Sequence, residues 1–151
     1  MIVMGYQGIG KSTLAGADNK CIDLESSNFF VDGVRNENWY KIYSQIALNL
    51  SKQGFIVFTS THKVVRDEII ENKGEEDVII ITPNLSLKEQ WIEKLKNRYD
   101  ETGKEKDYKA YIGAKTFYEE NINDLMSTEG ANAIITITSM DYSLKDILYI
   151  F

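Results

Sequence analysis

The chain has 151 residues, 43% of them hydrophobic and 26% charged, with a formal net charge of −6. That length suits one domain with a real buried core, so residues 1–151 are read as a single domain. The acidic balance argues against a general binder of nucleic acid or of membrane surfaces, which normally carries excess positive charge. Cys21 is the only cysteine, which excludes an internal disulfide and suits a reducing, cytoplasmic setting. No apolar run reaches the roughly 18 residues of a membrane span, and the apolar start is too short for a signal peptide.

In chain order, Ile2, Val3 and Met4 fit a buried strand that ends at Gly5. The next stretch, Gly5-Tyr6-Gln7-Gly8-Ile9-Gly10-Lys11-Ser12, has the spacing G-x-x-x-x-G-K-[ST], the P-loop pattern. Its glycines let the backbone turn tightly and approach a ligand, and its N–H groups would form a nest for phosphate oxygens. Lys11 would reach the outer phosphates, Ser12 would sit on Mg²⁺, and Thr13 could bond an inner phosphate. A short helix is predicted over Lys11 to Ala17, and a second strand over Cys21-Ile22-Asp23-Leu24. Asp23 and Glu25 are carboxylates near that strand's end, where one could hold Mg²⁺ or accept a proton from a substrate hydroxyl.

Phe29 to Gly33 reads as a loop or a half-turn. From Trp39, apolar residues recur at helical spacing through Ile42, Tyr43, Ile46 and Leu50, and Gly54 closes that helix. Phe55 to Ser60 is a continuous apolar run, as expected of a strand buried on both faces of a parallel sheet. Thr61 is placed to cap a helix whose inner side carries Val64, Val65, Ile69 and Ile70. Val78 to Thr82 is another buried strand, ended by Pro83. Ser86 and Glu89 have capping-box spacing ahead of a helix with Leu87, Trp91, Leu95, Ile92 and Tyr99. Asp100 to Lys109, polar and without an apolar period, reads as a mobile loop. A further helix carries Phe117, Tyr118, Ile122, Leu125 and Met126 on one side. Ala133 to Thr138 is the last strand, and Ser143 to Phe151 could form a short terminal helix. Strands alternating with helices predict an α/β fold: a P-loop three-layer sandwich with about five mostly parallel strands and helices on both faces.

Several activities share such a loop. A GTPase would need D-x-x-G at a strand end and a later N-K-x-D. Here Asp100-Glu101-Thr102-Gly103 lies behind a helix, and Asn72-Lys73-Gly74-Glu75 precedes it and ends in the wrong residue. A motor or helicase ATPase usually ends an apolar strand in an acidic residue, yet only the strand at 21–24 brings carboxylates. Of 17 basic residues only Arg35, Arg66 and Arg98 are arginines. The guanidinium fork grips phosphate in two places, and phosphoryl transfer is mostly positioning and neutralisation of charge.

In the order of P-loop, second-strand Asp23, acceptor-binding helices and Arg-bearing lid, the chain resembles the nucleoside monophosphate kinases, in particular small phage-encoded ones. The stretch from Ile80-Ile81-Thr82-Pro83 through Leu95-Lys96-Asn97-Arg98 is similar to the segment before the lid in guanylate kinases, with Lys94 where their first arginine stands. The third strand lacks the Asp-Arg or Asp-Gly signature of several such enzymes, and the lid is rich in lysine rather than arginine. The resemblance implies ATP and Mg²⁺ as cofactors, held by Gly5, Gly8, Ile9, Gly10, Lys11, Ser12 and Thr13, with Ser12 and Asp23 on the metal. It implies a small-molecule nucleotide acceptor on Asp23, Arg35 and Arg66. Lys11, Arg66 and Arg98 would be catalytic, with Lys94, Lys104 or Lys106 helping to close a lid over residues 100–115. His62, the only histidine, lies near the expected acceptor site, in a capping role or bonded to base or phosphate. The chain reads equally as a monomer or a homodimer. Two rivals remain open: a small-metabolite kinase of the shikimate or gluconate kind, using Asp23 and Glu25 on an acceptor hydroxyl, and a non-catalytic ATP-binding phage accessory protein.

Overall fold

The computed structural model describes residues 1–151. Its centre is a five-stranded, fully parallel sheet built from β1 (Ile2–Gly5), β2 (Cys21–Asp23), β5 (Ile56–Thr59), β6 (Val78–Pro83) and β7 (Ala133–Ile137), in the order β2-β5-β1-β6-β7. β1 and β6 are buried along their whole lengths, as their unbroken apolar runs require of strands covered on both faces. In register, Ile2 stands beside Val57 on one side and Val78 on the other.

The helices are α1 (Lys11–Ala17), α2 (Trp39–Lys52), α3 (Lys63–Asn72), α4 (Lys88–Thr102), α5 (Glu105–Met126) and α6 (Leu144–Leu148). The crossover from β1 to β2 runs opposite to the later ones, so right-handed connections put α1 on one face and α2 and α3 on the other. α1 meets α6, and α2 packs on α3. The core joins Tyr43 and Ala47 of α2, Val65 and Ile69 of α3, Trp91 and Leu95 of α4, and Tyr118 and Ile122 of α5 to the sheet. No helix is long and apolar enough to cross a membrane.

Several local expectations change. Phe29 to Gly33 carries more than a loop or half-turn: a 3₁₀ turn at Ser26–Phe29 leads into a small hairpin, β3 (Phe30–Val31) against β4 (Val34–Arg35), with Asp32 and Gly33 at positive φ. In α2, Ile42 and Ile46 face outward while Tyr43, Ala47 and Leu48 are buried. Thr61 does not cap α3; His62 holds that position without a side-chain bond, and Val64 is exposed. The Ser86–Glu89 capping box is absent. Asn84 accepts from the Ser86 amide instead, opening a 3₁₀ turn at Leu85–Leu87 before α4.

The largest difference is at 100–115. That segment is helical except around Gly103, whose left-handed φ of 62 ends α4 and whose successor Lys104 precedes α5. Glu105 and Asp107 lie in the first turn of α5, where negative charge complements the helix dipole. Absence of an apolar period does not forbid a helix when the residues are Glu and Lys, which propagate helix well.

Candidate functional site

The carboxyl ends of the parallel strands share one edge of the sheet. β1 leaves toward β2 and β6 leaves toward β7, so a crevice opens between them, the position at which open α/β sheets hold ligands. The glycine loop fills this crevice between β1 and α1. Gly8 stands at φ 88, and a Cβ there would lie 2.8 Å from Leu95 Cδ2, so both backbone and space demand glycine. A Cβ on Gly5 would meet Ile9 Cδ1 at 2.1 Å, which lets buried Ile9 fold back under the strand end. The Gly8 and Gly10 amides have no partner in the protein, and α1 has no side-chain cap over its first turn, at Lys11, Ser12 and Thr13.

Lys11 lies back on its own loop, Nζ donating to the Gly5 carbonyl at 2.7 Å. Desolvation pushes its ammonium below the ordinary lysine value. Asp23 and Glu25 oppose that shift, while Lys106 and Arg98 add to it. All four side chains are thus close enough to act on Lys11. Asp23 is half-buried at the end of β2. Burial first, and Glu25 second, raise its carboxyl above the ordinary range despite Lys11, Lys106 and Arg98.

Cations close over this group from the α4–α5 side. Arg98 Nη2 donates to Ser12 Oγ at 3.4 Å, and its Nε pairs with Asp107 Oδ1 at 3.1 Å. Asp107 is buried and also takes a hydrogen bond from Thr102, which locks the Gly103 turn. Lys106 Nζ reaches Glu25 at 2.5 Å, joining the start of α5 to the segment after β2.

Opposite, Arg35 is sandwiched between Phe30 and Trp39, its Cζ 4.2 and 4.1 Å from the two ring centroids. Nη2 donates to Ser26 Oγ at 3.3 Å, while Nε is buried without a partner. Tyr43 accepts from the Ser60 amide at 2.8 Å and donates to the Leu24 carbonyl at 2.5 Å, fixing the ends of β2 and β5 together. His62 meets Trp39 edge-on at 6.3 Å, and desolvation, then Arg35 and Arg66, hold its imidazole below the ordinary value.

Of the residues picked from the sequence, the glycine loop, Lys11, Ser12, Asp23, Glu25, Arg98 and Lys106 come together. Arg66 does not join them and its assignment to substrate is corrected. It is 3% exposed, with Nε on the Thr61 carbonyl at 2.9 Å, Nη1 on Thr128 Oγ1 at 2.6 Å and Nη2 paired with Asp124. These bonds consume the fork in tying α3 to the end of α5. Arg66→Ala is therefore expected to lower stability by about 2 kcal/mol, or several °C in Tm, in a thermal melt. Lys94 lies over the Trp91 ring at 4.5 Å and bonds Tyr142. No contact ties Lys104's side chain to the site.

Sequence reasoning missed Asp107, Trp91 and Tyr142 as site residues. Trp91, Lys94, Leu95 and Arg98 recur at three, four and seven residues, so one face of α4 points at the loop, and that stripe was the available signal. Tyr142 lies in an aperiodic tail and Asp107 in an apparent loop, with nothing local to mark either.

The raised Asp23 carboxyl makes stability depend on pH. The folded protein binds its proton more tightly than the unfolded chain, so this group's contribution to stability falls as pH rises through the raised value. Asp23→Asn is expected to melt higher than wild type at neutral pH, the gain shrinking away below the ordinary value of 3.8. Equal melting temperatures throughout would contradict the desolvation argument.

No protein-family model matches the chain, and no curated protein matches it.

Proposed function

We propose that the protein is a P-loop phosphotransferase that moves the γ-phosphate of ATP to a nucleoside monophosphate, giving the diphosphate. The observation that carries the reading is the convergence of Lys11, Ser12, Asp23, Glu25, Arg98 and Lys106 around a loop with unpartnered amides. The amides of Gly8, Gly10, Lys11, Ser12 and Thr13 cradle the phosphates. Lys11 exchanges the Gly5 carbonyl for phosphate oxygens, and Arg98, braced by Asp107, neutralises charge on the transferred group. On the far side, Arg35, whose fork makes one hydrogen bond, Nη2 to Ser26 Oγ, is the cation left for the acceptor's phosphate. An acceptor that is already an oxyanion needs no strong base.

Mg²⁺ fits the donor set. No cluster of three or more His, Cys, Asp or Glu forms a protein cage, but Mg²⁺ beside phosphates takes one or two protein oxygens, phosphate and water. Ser12 Oγ and Asp23 would hold it, and when bound it neutralises phosphate charge.

A second reading has its own support. The raised, half-buried Asp23 carboxylate suits proton acceptance from a hydroxyl, as in a small-metabolite kinase, and loss of Arg66 from the site leaves the acceptor phosphate one cation fewer. Coupled ADP release decides between them. Each nucleoside monophosphate and a panel of small hydroxylated acids is supplied with ATP and Mg²⁺. Turnover with one monophosphate, well above ATP alone, is expected. Turnover only with a hydroxyl acceptor selects the second reading, and ATP binding without turnover leaves a nucleotide-binding accessory protein.

A further inference from the structure

The glycine loop is held from behind by two aromatic donors that lie outside its motif. Trp91 Nε1 donates to the Gln7 carbonyl at 2.9 Å, and the Tyr142 hydroxyl donates to the Ile9 carbonyl at 2.9 Å. Both directions are forced. The indole nitrogen is a donor only. The Tyr142 oxygen receives Lys94 Nζ at 3.2 Å, and lysine cannot accept, so the hydroxyl's own proton remains for Ile9. Burial pushes the Tyr142 hydroxyl up to about 12, which keeps that proton in place. The two rings stack at 6.1 Å with 16° between planes, and Lys94 Nζ lies 4.5 and 5.2 Å from their centroids.

In a trans peptide a carbonyl and the following N–H point in opposite directions, and no cis bond is present. A Gln7 carbonyl turned back to Trp91 therefore turns the Gly8 amide the other way. The Ile9 carbonyl on Tyr142 does the same for the Gly10 amide. Both glycines stand at positive φ, and neither amide has a partner in the protein. Glycine accepts either sign of φ, so these two peptides are the ones most free to flip.

We propose that Trp91 and Tyr142 are positioning residues: a clasp, stacked under Lys94, that fixes peptides 7–8 and 9–10 so that the Gly8 and Gly10 amides face the ligand side together. The clasp is a property of the loop itself; only its effect on anion affinity rests on the phosphotransferase reading. It joins α4 to the segment after β7, so the anion cradle is set by parts of the chain far from the motif.

The test uses the full ¹⁵N-labelled chain with Trp91→Phe and Tyr142→Phe, each of which keeps a ring and removes one donor. The Gly8 amide resonance is expected to shift and broaden in Trp91→Phe, and that of Gly10 in Tyr142→Phe. Affinity for inorganic tripolyphosphate is expected to fall about fivefold in each, the worth of one neutral hydrogen bond. A merely structural role predicts lower melting temperatures with both resonances unmoved, and that result overturns the clasp. Should Trp91→Phe fold poorly, Gly10 in Tyr142→Phe decides alone, since Tyr142 is only partly buried. Shifted glycines in a protein that binds no tripolyphosphate even as wild type keep the clasp and remove the nucleotide reading. Unmoved glycines with tripolyphosphate bound equally by all three proteins do the reverse.

Discussion

Lys11→Ala is expected to lower turnover by about 10³-fold, the scale of losing a preorganised charge on a transferring phosphoryl group, while the unliganded protein stays folded. The two halves of this result have one cause. In the free protein the Lys11 ammonium is desolvated, its pKa is lowered, and its only hydrogen bond is to the Gly5 carbonyl at 2.7 Å. A charge held that way costs stability in the free protein. Lys11→Met, which keeps the stem and drops the charge, should therefore melt above wild type while being as inactive as the alanine variant. Coupled ADP release and a thermal melt on the same preparations check both. Residual turnover above a tenth of wild type would show that Lys11 does not meet the migrating group.

Arg98→Ala is expected to lower kcat by about 10²-fold, with a smaller change in the KM for ATP. Arg98 is 41% exposed on its side chain, yet it is aimed from two sides, by Asp107 on Nε and by Ser12 near Nη2. A guanidinium makes both contacts at once because its donors form a planar fork; a lysine offers one point charge. Arg98→Lys should recover only part of the loss. Asp107→Asn keeps the shape and removes the pairing charge, so it should cost about tenfold in kcat, the scale of a positioning partner. Steady-state kinetics on the three variants separate the roles. An effect of Arg98→Ala confined to KM would mean that it binds ATP without acting on the transition state.

What could be read from the sequence follows the range of the forces involved. Ile2 to Met4 and Val78 to Ile81 are continuous apolar runs, so burial on both faces, and with it a parallel sheet, was legible. The glycine loop was legible because its spacing is local. Asp23 and Glu25 were legible as carboxylates at a strand end. The α4–α5 turn was not, because its stability comes from Arg98, Thr102 and Asp107 meeting across Gly103, a set with no hydrophobic period. Arg66 misled for the opposite reason. An arginine just past a strand end looks free until Asp124 and Thr128, about sixty residues later, arrive to hold it. Ile42 and Ile46 misled because periodicity gives a stripe but not which edge of that stripe meets the sheet.

The strand order has a consequence for how this chain comes off the ribosome. β1 is synthesised first, yet its two neighbours start at Ile56 and Val78. At about 5–20 residues per second, the nascent Ile2-Val3-Met4 segment waits several seconds for either flanking strand, its apolar face open to chaperones or to other nascent chains. Translation slowed between β1 and β6 should thus raise aggregation, whereas a pause late enough for β6 to have left the ribosome should not.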